Sequence, residues 1–423
     1  MQRRDFLLRH TAGLAGLAGW TLAGGAANAS TDDPRARNKL VVVMLRGAID
    51  GLSVVAPHAE RDYYQSRPSI ALAAPGGGDE ALLPLDARFG LHPALQRLHA
   101  RWERSEMAFV HASGSPDPTR SHFDAQDYLE SGTPGRKSTP DGWMNRLLVA
   151  LPGPETPNRA VNLGVTPPRI LAGKASVATL GYGPRAFASQ AIDNPQLQAA
   201  LGKLYGGNTD IDRAYREATE GRSGMQRSMA SARGRDMADG RSADPTADAG
   251  APGASGFAAD ARRLGQLVAA DPSTQLAFTA VGGWDTHANQ GAAKGQLANR
   301  LASLGEGLDA LAQGLGDSYR NTVIVVLSEF GRTLRQNGAG GTDHGRGNVI
   351  WLLGGPVAGG RVLGEWPGLE SSALHEGRDL AVTTDFRAVL APLLQAHLGL
   401  GDAAMDTVFP HYRGGALKTA LLR

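Results

Sequence analysis

Six acidic and histidine side chains of this 423-residue sequence are of the types that bind metal ions, and each lies beside a short apolar run. They are Asp50, Asp285, His287, Glu329, Asp343 and His344. Carboxylates and imidazoles form a hard-to-borderline ligand set, which suits Zn²⁺, Mn²⁺, Mg²⁺ or Ca²⁺. Because the chain has no cysteine, thiolate ligands, disulfides and a cysteine nucleophile are excluded. The residues therefore predict a site for one or two divalent metal ions.

Five of these six residues also have an ordinary structural explanation. Asp50 is typical of a turn that precedes a helix, and an Asp-x-His pair such as Asp285 and His287 often occurs by chance. Asp343 and His344 stand between glycines, where a capping aspartate and a surface histidine are equally expected. The metal prediction rests on their joint placement at the ends of predicted strands, since loops that meet there can assemble a two-metal site.

A turn rich in hydroxyl, acidic and histidine side chains, TRSHFDAQD at 119–127, offers a second kind of chemistry. Ser121 stands where a helix is predicted to begin, near His122. A hydroxyl there either caps backbone amides or acts as a nucleophile where those amides stabilise a developing anion. We predict Ser121, His122 and Arg332 as catalytic residues, with Arg332 holding the anion. The same roles stay open for other residues, namely Ser113, Ser115 and Thr119 as nucleophile and Arg120 and Arg346 as clamp.

Buried strands must position these segments. Continuously apolar, mostly β-branched runs predict strands that are buried on both faces, and they occur at 40–45, 276–281, 323–327 and 349–353. An amphipathic helix predicted at 257–270 precedes the run at 276–281, and another at 291–315 connects that run to the run at 323–327. Right-handed crossovers of this kind align the strands in parallel. Open α/β sheets bind ligands at the carboxyl ends of such strands. We predict an α/β three-layer sandwich with a mostly parallel central sheet and helices on both faces.

The first 29 residues have the features of an export signal. They contain the pair Arg3 and Arg4, a Gly- and Ala-rich apolar stretch, and an A-x-A site that ends at Ala29. This pattern predicts a twin-arginine signal peptide at 1–29, so the twin-arginine translocase is a predicted partner and the mature protein is predicted to be periplasmic or secreted. Glycines dilute the apolar stretch, and no other stretch approaches the length of a spanning helix. We therefore predict no stable membrane anchor.

The net charge of +2 is carried by this leader, and the rest of the chain has equal numbers of basic and acidic residues. That balance leaves no electrostatic footprint for nucleic acid, so no nucleic-acid partner is predicted. Residues 30–423 are predicted to form a single α/β domain. The stretch at about 218–255 has few large apolar side chains, which predicts a flexible insertion. An oxidoreductase is a distant alternative, since no dinucleotide fingerprint follows a predicted strand.

Several segments resemble the hallmark blocks of DUF1501, an exported bacterial family of unknown function. The segments are RGAIDGLSVVAP, TRSHFDAQDYLESGTP, GGWDTHANQ, SEFGRT and GGTDHGRGNVIWLLGG. That family in turn resembles the alkaline-phosphatase and sulfatase superfamily, whose α/β core holds metals at the carboxyl ends of strands. The resemblance implies an alkaline-phosphatase-like domain in which a hydroxyl near Ser121 is the nucleophile. It implies metal ligands at Asp50, Asp285, His287, Glu329 and His344.

The chain departs from those enzymes where it has Asp-x-His at 285–287 and Glu-Phe at 329–330, and where it has no cysteine to become formylglycine. The predicted function is a metal-dependent hydrolase of a phosphate or sulfate ester, carried by a small molecule or a polymer, outside the cytoplasm. The alternative is a non-catalytic envelope protein that keeps the fold, and with it a structural metal, in order to bind a glycan, a polymer or a partner.

Overall fold

The computed structural model describes residues 34–137, 139–183, 194–230, 246–417 and 419–423. The predicted signal peptide at 1–29 lies outside the described residues and stays a prediction. So does the middle of the predicted insertion, at 231–245. Among the described residues, no helix combines the length and the apolar character needed to cross a bilayer.

Twelve strands occur in the described part of the chain, and most of them belong to one sheet. They are β1 (Lys39–Leu45), β2 (Val55–Ala56), β3 (Leu83–Pro84), β4 (Gly90–Leu91), β5 (Met107–Gly114), β6 (Ala160–Leu163), β7 (Ala178–Leu180), β8 (Leu276–Val281), β9 (Thr322–Ser328), β10 (Asn348–Leu353), β11 (Arg361–Leu363) and β12 (Thr384–Asp385). The large sheet has the order β11-β5-β10-β9-β1-β8-β6-β7, with β12 beside β5, and β2-β4-β3 form a small antiparallel sheet.

The large sheet is parallel except at β10, which runs antiparallel to both β5 and β9. β1 lies in its middle and pairs in parallel with β8 and β9. Alternate residues of β1 enter two different cores, with Val41 and Val43 on one face and Leu40 and Val42 on the other. Both faces are buried, which explains why the strand is apolar at every position rather than at alternate ones.

Helices cover both faces of the sheet. They are α1 (Gly51–Val54), α2 (Arg61–Ser66), α3 (Gln96–Glu103), α4 (His122–Ser131), α5 (Trp143–Ala150), α6 (Pro195–Leu204), α7 (Asp210–Ala230), α8 (Phe257–Ala270), α9 (Gln296–Leu315), α10 (Phe386–Leu398) and α11 (Asp402–Val408). Side chains of α3, α8 and α9 pack in the first core, and those of α4, α5, α10 and α11 pack in the second. The predicted three-layer α/β sandwich with a mostly parallel sheet is confirmed.

Two parts of the predicted insertion, 218–230 and 246–255, lie in the described part of the chain. Residues 218–230 continue α7, and Ala247, Asp248 and Ala254 are buried beside the sheet. The backbone N–H of Gly283 donates a hydrogen bond of 2.6 Å to Asp248 Oδ1. Small side chains allow this stretch to pack closely although it buries little apolar area. The described part of 218–255 is therefore not uniformly exposed.

Candidate metal centre

Three loops meet at the carboxyl edge of the large sheet. α4 starts at His122 after β5, Asp285 follows β8, Glu329 directly follows β9, and His344 precedes β10. Because β10 is antiparallel, the loop between β9 and β10 turns back at this same edge. Residues that are far apart in the chain are thereby brought to one place, as expected for a parallel α/β sheet.

Three of these side chains direct their donor atoms at one another. His122 Nε2 lies 3.1 Å from His344 Nε2 and 3.7 Å from Asp285 Oδ2, and His344 Nε2 lies 3.3 Å from Asp285 Oδ1. Ligand atoms about 2.0–2.1 Å from a tetrahedral zinc ion are about 3.3 Å from one another. The separations of the three donors therefore match the edge lengths of a metal coordination sphere.

His287 adds a fourth donor on the open side. Its Nε2 lies 3.0 Å from His344 Nε2 and 3.1 Å from Asp285 Oδ1. The exposed fraction of the side chain rises from 10% at His122 and 13% at Asp285 to 24% at His344 and 44% at His287. The donor set thus has a buried side and a side that solvent or a ligand can reach.

The three imidazoles share one orientation, in which Nδ1 points outward to an oxygen and Nε2 points inward. The oxygen partners of Nδ1 are Glu329 Oε1 (2.8 Å from His122), Asp343 Oδ1 (3.3 Å from His287) and the carbonyl oxygen of Arg120 (2.9 Å from His344). An oxygen acceptor at Nδ1 places the ring proton there, so that Nε2 carries a lone pair. Metal-binding histidines are commonly held by such outer hydrogen bonds.

Opposed lone pairs need a cation between them. Without a metal ion, a proton can occupy that place, because burial disfavours a charged His122 but hydrogen bonds to Asp285 and Glu329 and their negative charges raise its pKa to about 9. Burial likewise raises the pKa of Asp285, but hydrogen bonds from His122 and His344 and the charge of Arg332 hold it well below its usual range. Three imidazole nitrogens and one ionised carboxylate therefore fit a divalent ion with borderline preferences, such as Zn²⁺.

Glu329 lies behind His122 and is fully buried. Its Oε1 accepts hydrogen bonds from His122 Nδ1, from Gln126 Nε2 at 3.0 Å, and from the backbone N–H of Gly47 at 2.8 Å. Gly47 has φ +109°, and a Cβ there would lie 2.8 Å from the backbone nitrogen of Asp285, so a side chain does not fit. Burial raises the pKa of Glu329, but the hydrogen bond and charge of His122 outweigh it and lower the pKa. In this arrangement Glu329 holds the His122 ring from behind, and the structure does not place its carboxylate among the inward-facing donors.

Arg332 lies inside the protein and not at the mouth of the site. Its guanidinium donates hydrogen bonds to the carbonyl oxygens of Gly47 (2.7 Å), Ala48 (2.7 Å) and Thr342 (3.1 Å), and to Asp285 Oδ1. The side chain has no exposed surface. With its donors engaged, Arg332 fixes Asp285 and the surrounding loops.

The sequence model of the family described as "Protein of unknown function (DUF1501)" matches residues 37–409. The chain belongs to the DUF1501 family. The family resemblance predicted from the sequence is thus confirmed over most of the chain. A comparison with curated proteins gave no significant match.

Three solved structures are similar to this DUF1501 chain. Ps i-CgsB in complex with k-i-k-neocarrahexaose is 12% identical at a TM-score of 0.43, with 90% of this chain and 75% of that chain covered. BT1596, a 2-O GAG sulfatase, is 9% identical at a TM-score of 0.41, with 91% and 76% covered. Alkaline phosphatase from the Antarctic bacterium TAB5 is 14% identical at a TM-score of 0.35, with 77% and 94% covered. The likeness concerns the course of the chain and does not extend to activity.

Asp50, the first metal ligand predicted for this DUF1501 protein, has other partners in the structure. It is fully buried and accepts hydrogen bonds from Arg67 Nη1 (2.6 Å) and Nη2 (3.0 Å), from Ser53 Oγ (2.7 Å) and from Gln290 Nε2 (2.7 Å). Burial raises the pKa of Asp50, but the charge and hydrogen bonds of Arg67 lower it. The positive charge that Asp50 requires is supplied by an arginine, and the structure does not bring Asp50 into the histidine cluster.

The candidate nucleophiles differ in how their hydroxyls are used. Ser113 Oγ is buried and donates to the carbonyl oxygen of Val110, and Ser115 Oγ accepts from the backbone N–H of Asp117. Thr119 Oγ1 accepts from the backbone N–H of Ser121. Ser121 is exposed at the N-cap of α4, and its side chain makes no capping hydrogen bond. Of the four hydroxyls, that of Ser121 makes no hydrogen bond with the described residues, and Ser121 directly precedes His122.

Two residues of the site, Gln126 and Phe330, were not predicted from the sequence. Gln126 joins Glu329 from the second turn of α4. The Phe330 ring packs against His122 and His344, with centroids 4.9 Å and 5.1 Å away. A helical residue one turn after His122 on the buried face could have suggested Gln126, since i and i+4 share a face. Phe330 would have been assigned to the core in any case, because it is a buried aromatic side chain.

Proposed function

We propose that this DUF1501 protein is a metal-dependent hydrolase of a phosphate or sulfate ester. The observation that carries the proposal is the convergence of three donors on one point at the carboxyl edge of the sheet, with a fourth, His287, beside two of them. His122, Asp285 and His344 form its buried side and His287 its open side. Donor sets that are closed by protein on one side and open on the other are typical of catalytic rather than structural metal sites.

The proposed site holds one metal ion. In the described residues one group of His, Asp and Glu side chains has its ligand atoms close enough together to bind an ion. When bound there, a divalent ion would supply positive charge that stabilises the transferred group and lowers the pKa of an attacking hydroxyl or water. Glu329 holds the His122 ring in place through Nδ1, and Ser121 either attacks the phosphorus or sulfur atom or orients the attacking water.

We assign the binding of the anionic group to Arg346. It is half-buried, and among the described residues its side chain makes one hydrogen bond, from Nη2 to the carbonyl oxygen of Pro116 at 3.0 Å. Arg120, by contrast, is paired with Asp379 at 2.7 Å and with Glu376 at 2.8 Å. A half-exposed guanidinium with spare donors, two positions after His344, suits an oxyanion.

The proposal includes export by the twin-arginine pathway to the periplasm or the medium. It is supported by the Arg3-Arg4 pair and the A-x-A site that ends at Ala29. This pathway carries proteins that are already folded, so the metal would be inserted in the cytoplasm before translocation.

The test is metal analysis combined with turnover. Mature protein, residues 30–423, is purified without chelators and analysed by inductively coupled plasma mass spectrometry beside an Asp285→Ala/His344→Ala double variant. We expect about one ion per chain in the wild type and none in the double variant. Hydrolysis of p-nitrophenyl phosphate and p-nitrophenyl sulfate is then measured for the wild type, Ser121→Ala and the exposed control Ser371→Ala.

The outcomes separate the two functions. Loss of hydrolysis in Ser121→Ala, with the metal retained and Ser371→Ala unchanged, supports the hydrolase. A metal-loaded protein that hydrolyses neither ester nor any of a wider set would favour a binding protein with a structural metal. The binding-protein alternative is supported by the ion pair of Arg67 with Asp50. The superfamily resemblance assigns a metal ion to Asp50, whereas in the structure the Arg67 guanidinium supplies the positive charge there. A folded protein without metal would contradict both versions of the site.

A further inference from the structure

A cavity of about 470 Å³ opens at the same edge of the sheet as the metal donors. It lies at the carboxyl ends of three adjacent parallel strands, and is lined by Arg46 after β1, Ala280 in β8 and Leu163 in β6. The wall opposite is formed by Ala249 and Ala251, in the stretch predicted to be a flexible insertion. Its size and its position are those of a small-molecule site in an open α/β sheet.

The lining has polar groups that are free for a ligand. Asn162 is 1% exposed, and its amide nitrogen donates to the carbonyl oxygen of Thr166 at 3.1 Å and to Thr179 Oγ1 at 3.5 Å. No hydrogen bond from the described residues reaches its amide oxygen. Tyr182 makes a long hydrogen bond, of 3.5 Å, to the carbonyl oxygen of Ala280 and a further side-chain hydrogen bond with Thr279. The cavity therefore offers an amide oxygen that has no partner among the described residues.

The charges nearest the cavity are paired. Arg46 lies 2.6 Å from Glu130, and Arg169 lies 3.3 Å from Asp127, although Arg169 Nε is a buried donor with no hydrogen-bond partner among the described residues. An anion would compete with a carboxylate that already holds its arginine, and a cation would find no unpaired carboxylate. A neutral molecule with several hydroxyl groups can use the donors and acceptors without disturbing either pair. The aromatic ring of Tyr182, which also lines the cavity and is partly exposed, suits the apolar C–H face of a sugar ring.

We propose that this cavity binds a neutral sugar unit. The proposal stands whether or not the metal centre is catalytic, because it rests on the cavity alone. It also bears on the substrate of the proposed hydrolase. α4 carries His122 at its first residue and Glu130 eight residues later, a rise of about 12 Å. An ester-bearing glycan with a ring in the cavity and the ester near His122 would span about that distance.

A short chain of hydrogen bonds joins the two places. Arg46 Nη1 donates to Gln126 Oε1 at 2.5 Å, Gln126 Nε2 donates to Glu329 Oε1 at 3.0 Å, and Glu329 accepts from His122. The cavity and the metal centre are therefore parts of one continuous edge. A ligand in contact with Arg46 would be linked through Arg46 and Gln126 to Glu329, which holds the ring of His122.

The test is isothermal titration calorimetry of the mature protein with lactose, cellobiose and maltose, and with galacturonate as the anionic comparison. We expect at least one neutral disaccharide to bind with a dissociation constant of about 1 mM or tighter. Two variants address the cavity. Asn162→Leu removes the amide at similar volume, and Ala251→Leu fills the space. Each should weaken binding by about tenfold or more. Ala251→Leu removes no side-chain hydrogen bond and should do so while the protein keeps its thermal midpoint.

The matched control lies in another cavity, of about 340 Å³, which is lined by Phe89, His111 and Trp366. Trp366→Leu should leave the affinity unchanged. The metal-site variant Asp285→Asn should also bind the sugar, so that failure of the proposed hydrolase and failure of the sugar site are distinguishable. Absence of binding by every neutral sugar, preferential binding of galacturonate, or loss of affinity in Trp366→Leu alone would each overturn the proposal.

Discussion

The Nε2 atoms of His122 and His344 lie 3.1 Å apart, although the two residues are separated by 222 positions in the chain. Each ring presents its Nδ1 proton to an oxygen, His122 to Glu329 and His344 to the carbonyl oxygen of Arg120. The two inward nitrogens are thus prepared to share a cation. This arrangement distinguishes the pair from two histidines that meet by chance at a surface, because such histidines need not have an oxygen acceptor at each Nδ1.

Glu329→Gln should weaken metal binding without unfolding the protein. The amide keeps the volume of the carboxylate but removes the charge that holds the proton on His122 Nδ1, so the ring is less basic and less well oriented. Loss of such an outer partner typically lowers metal affinity by about 10–100-fold. Competition with a fluorescent zinc chelator measures the change, and Glu376→Gln, an exposed carboxylate paired with Arg120, is the control. An unchanged affinity would mean that Glu329 does not position His122.

Arg67→Met should destabilise the fold and leave the metal content unchanged. Asp50 would then be a buried carboxylate without its partner, which costs about 3–5 kcal/mol. Urea unfolding gives the free energy, and mass spectrometry gives the metal content. The exposed pair of Arg413 and Asp406 supplies a control, since Arg413→Met should cost less than about 1 kcal/mol. A second metal ion in a folded Arg67→Met variant would show instead that Asp50 is a ligand awaiting its cation.

Arg346→Gln should raise the KM for an anionic ester by about tenfold or more. Removing a charge-assisted hydrogen bond to an oxyanion typically costs about 1.5–3 kcal/mol. The metal content should not change, because Arg346 contacts none of the donors in the structure. Steady-state kinetics on p-nitrophenyl phosphate provide the measurement, with the exposed Arg335→Gln as the comparison. Equal effects of the two substitutions would remove Arg346 from the binding of the anion.

The buried histidines should make the protein less stable in mild acid. Burial lowers the pKa of His111 to about 4, against an ordinary value near 6.5. The folded state keeps the ring neutral while the unfolded state takes up a proton, so the stabilisation is complete above about pH 6.5. It is lost as the pH falls towards 4, by up to about 1.4 kcal/mol per pH unit.

Urea unfolding at several pH values between 4.5 and 7.5, with chelator present to exclude effects of metal, measures this dependence. His111→Phe should flatten the slope between about pH 4 and 6.5, whatever it does to stability at neutral pH. The exposed His411→Asn should leave the slope as in the wild type. A variant without His111 that follows the wild-type slope would assign the acid sensitivity to other groups.

The sequence by itself determined which segments form the central strands of the sheet, and that the candidate site residues lie near the carboxyl ends of those strands. The apolar runs at 40–45, 276–281, 323–327 and 349–353 became β1, β8, β9 and β10 within one or two residues. Their composition is dictated by burial on both faces, which is a local requirement that each segment satisfies alone. The glycines and polar residues that follow the runs are also local features, because a chain that leaves a buried strand must turn, although the structure buries Asp50 and Glu329 in these turns. The direction of β10 was not readable locally, since it depends on the strands beside it.

Only the tertiary structure decided which carboxylate meets which cation. Asp50, Asp285 and Glu329 all follow strands and look alike in sequence, yet one pairs with Arg67, one faces the histidines and one supports His122 from behind. These pairings join residues from separate loops, and their geometry depends on strand order and on where helices pack. Periodicity and spacing describe the neighbours of a residue along the chain, whereas the role of a charged group is set by the charges that folding brings within a few ångströms of it.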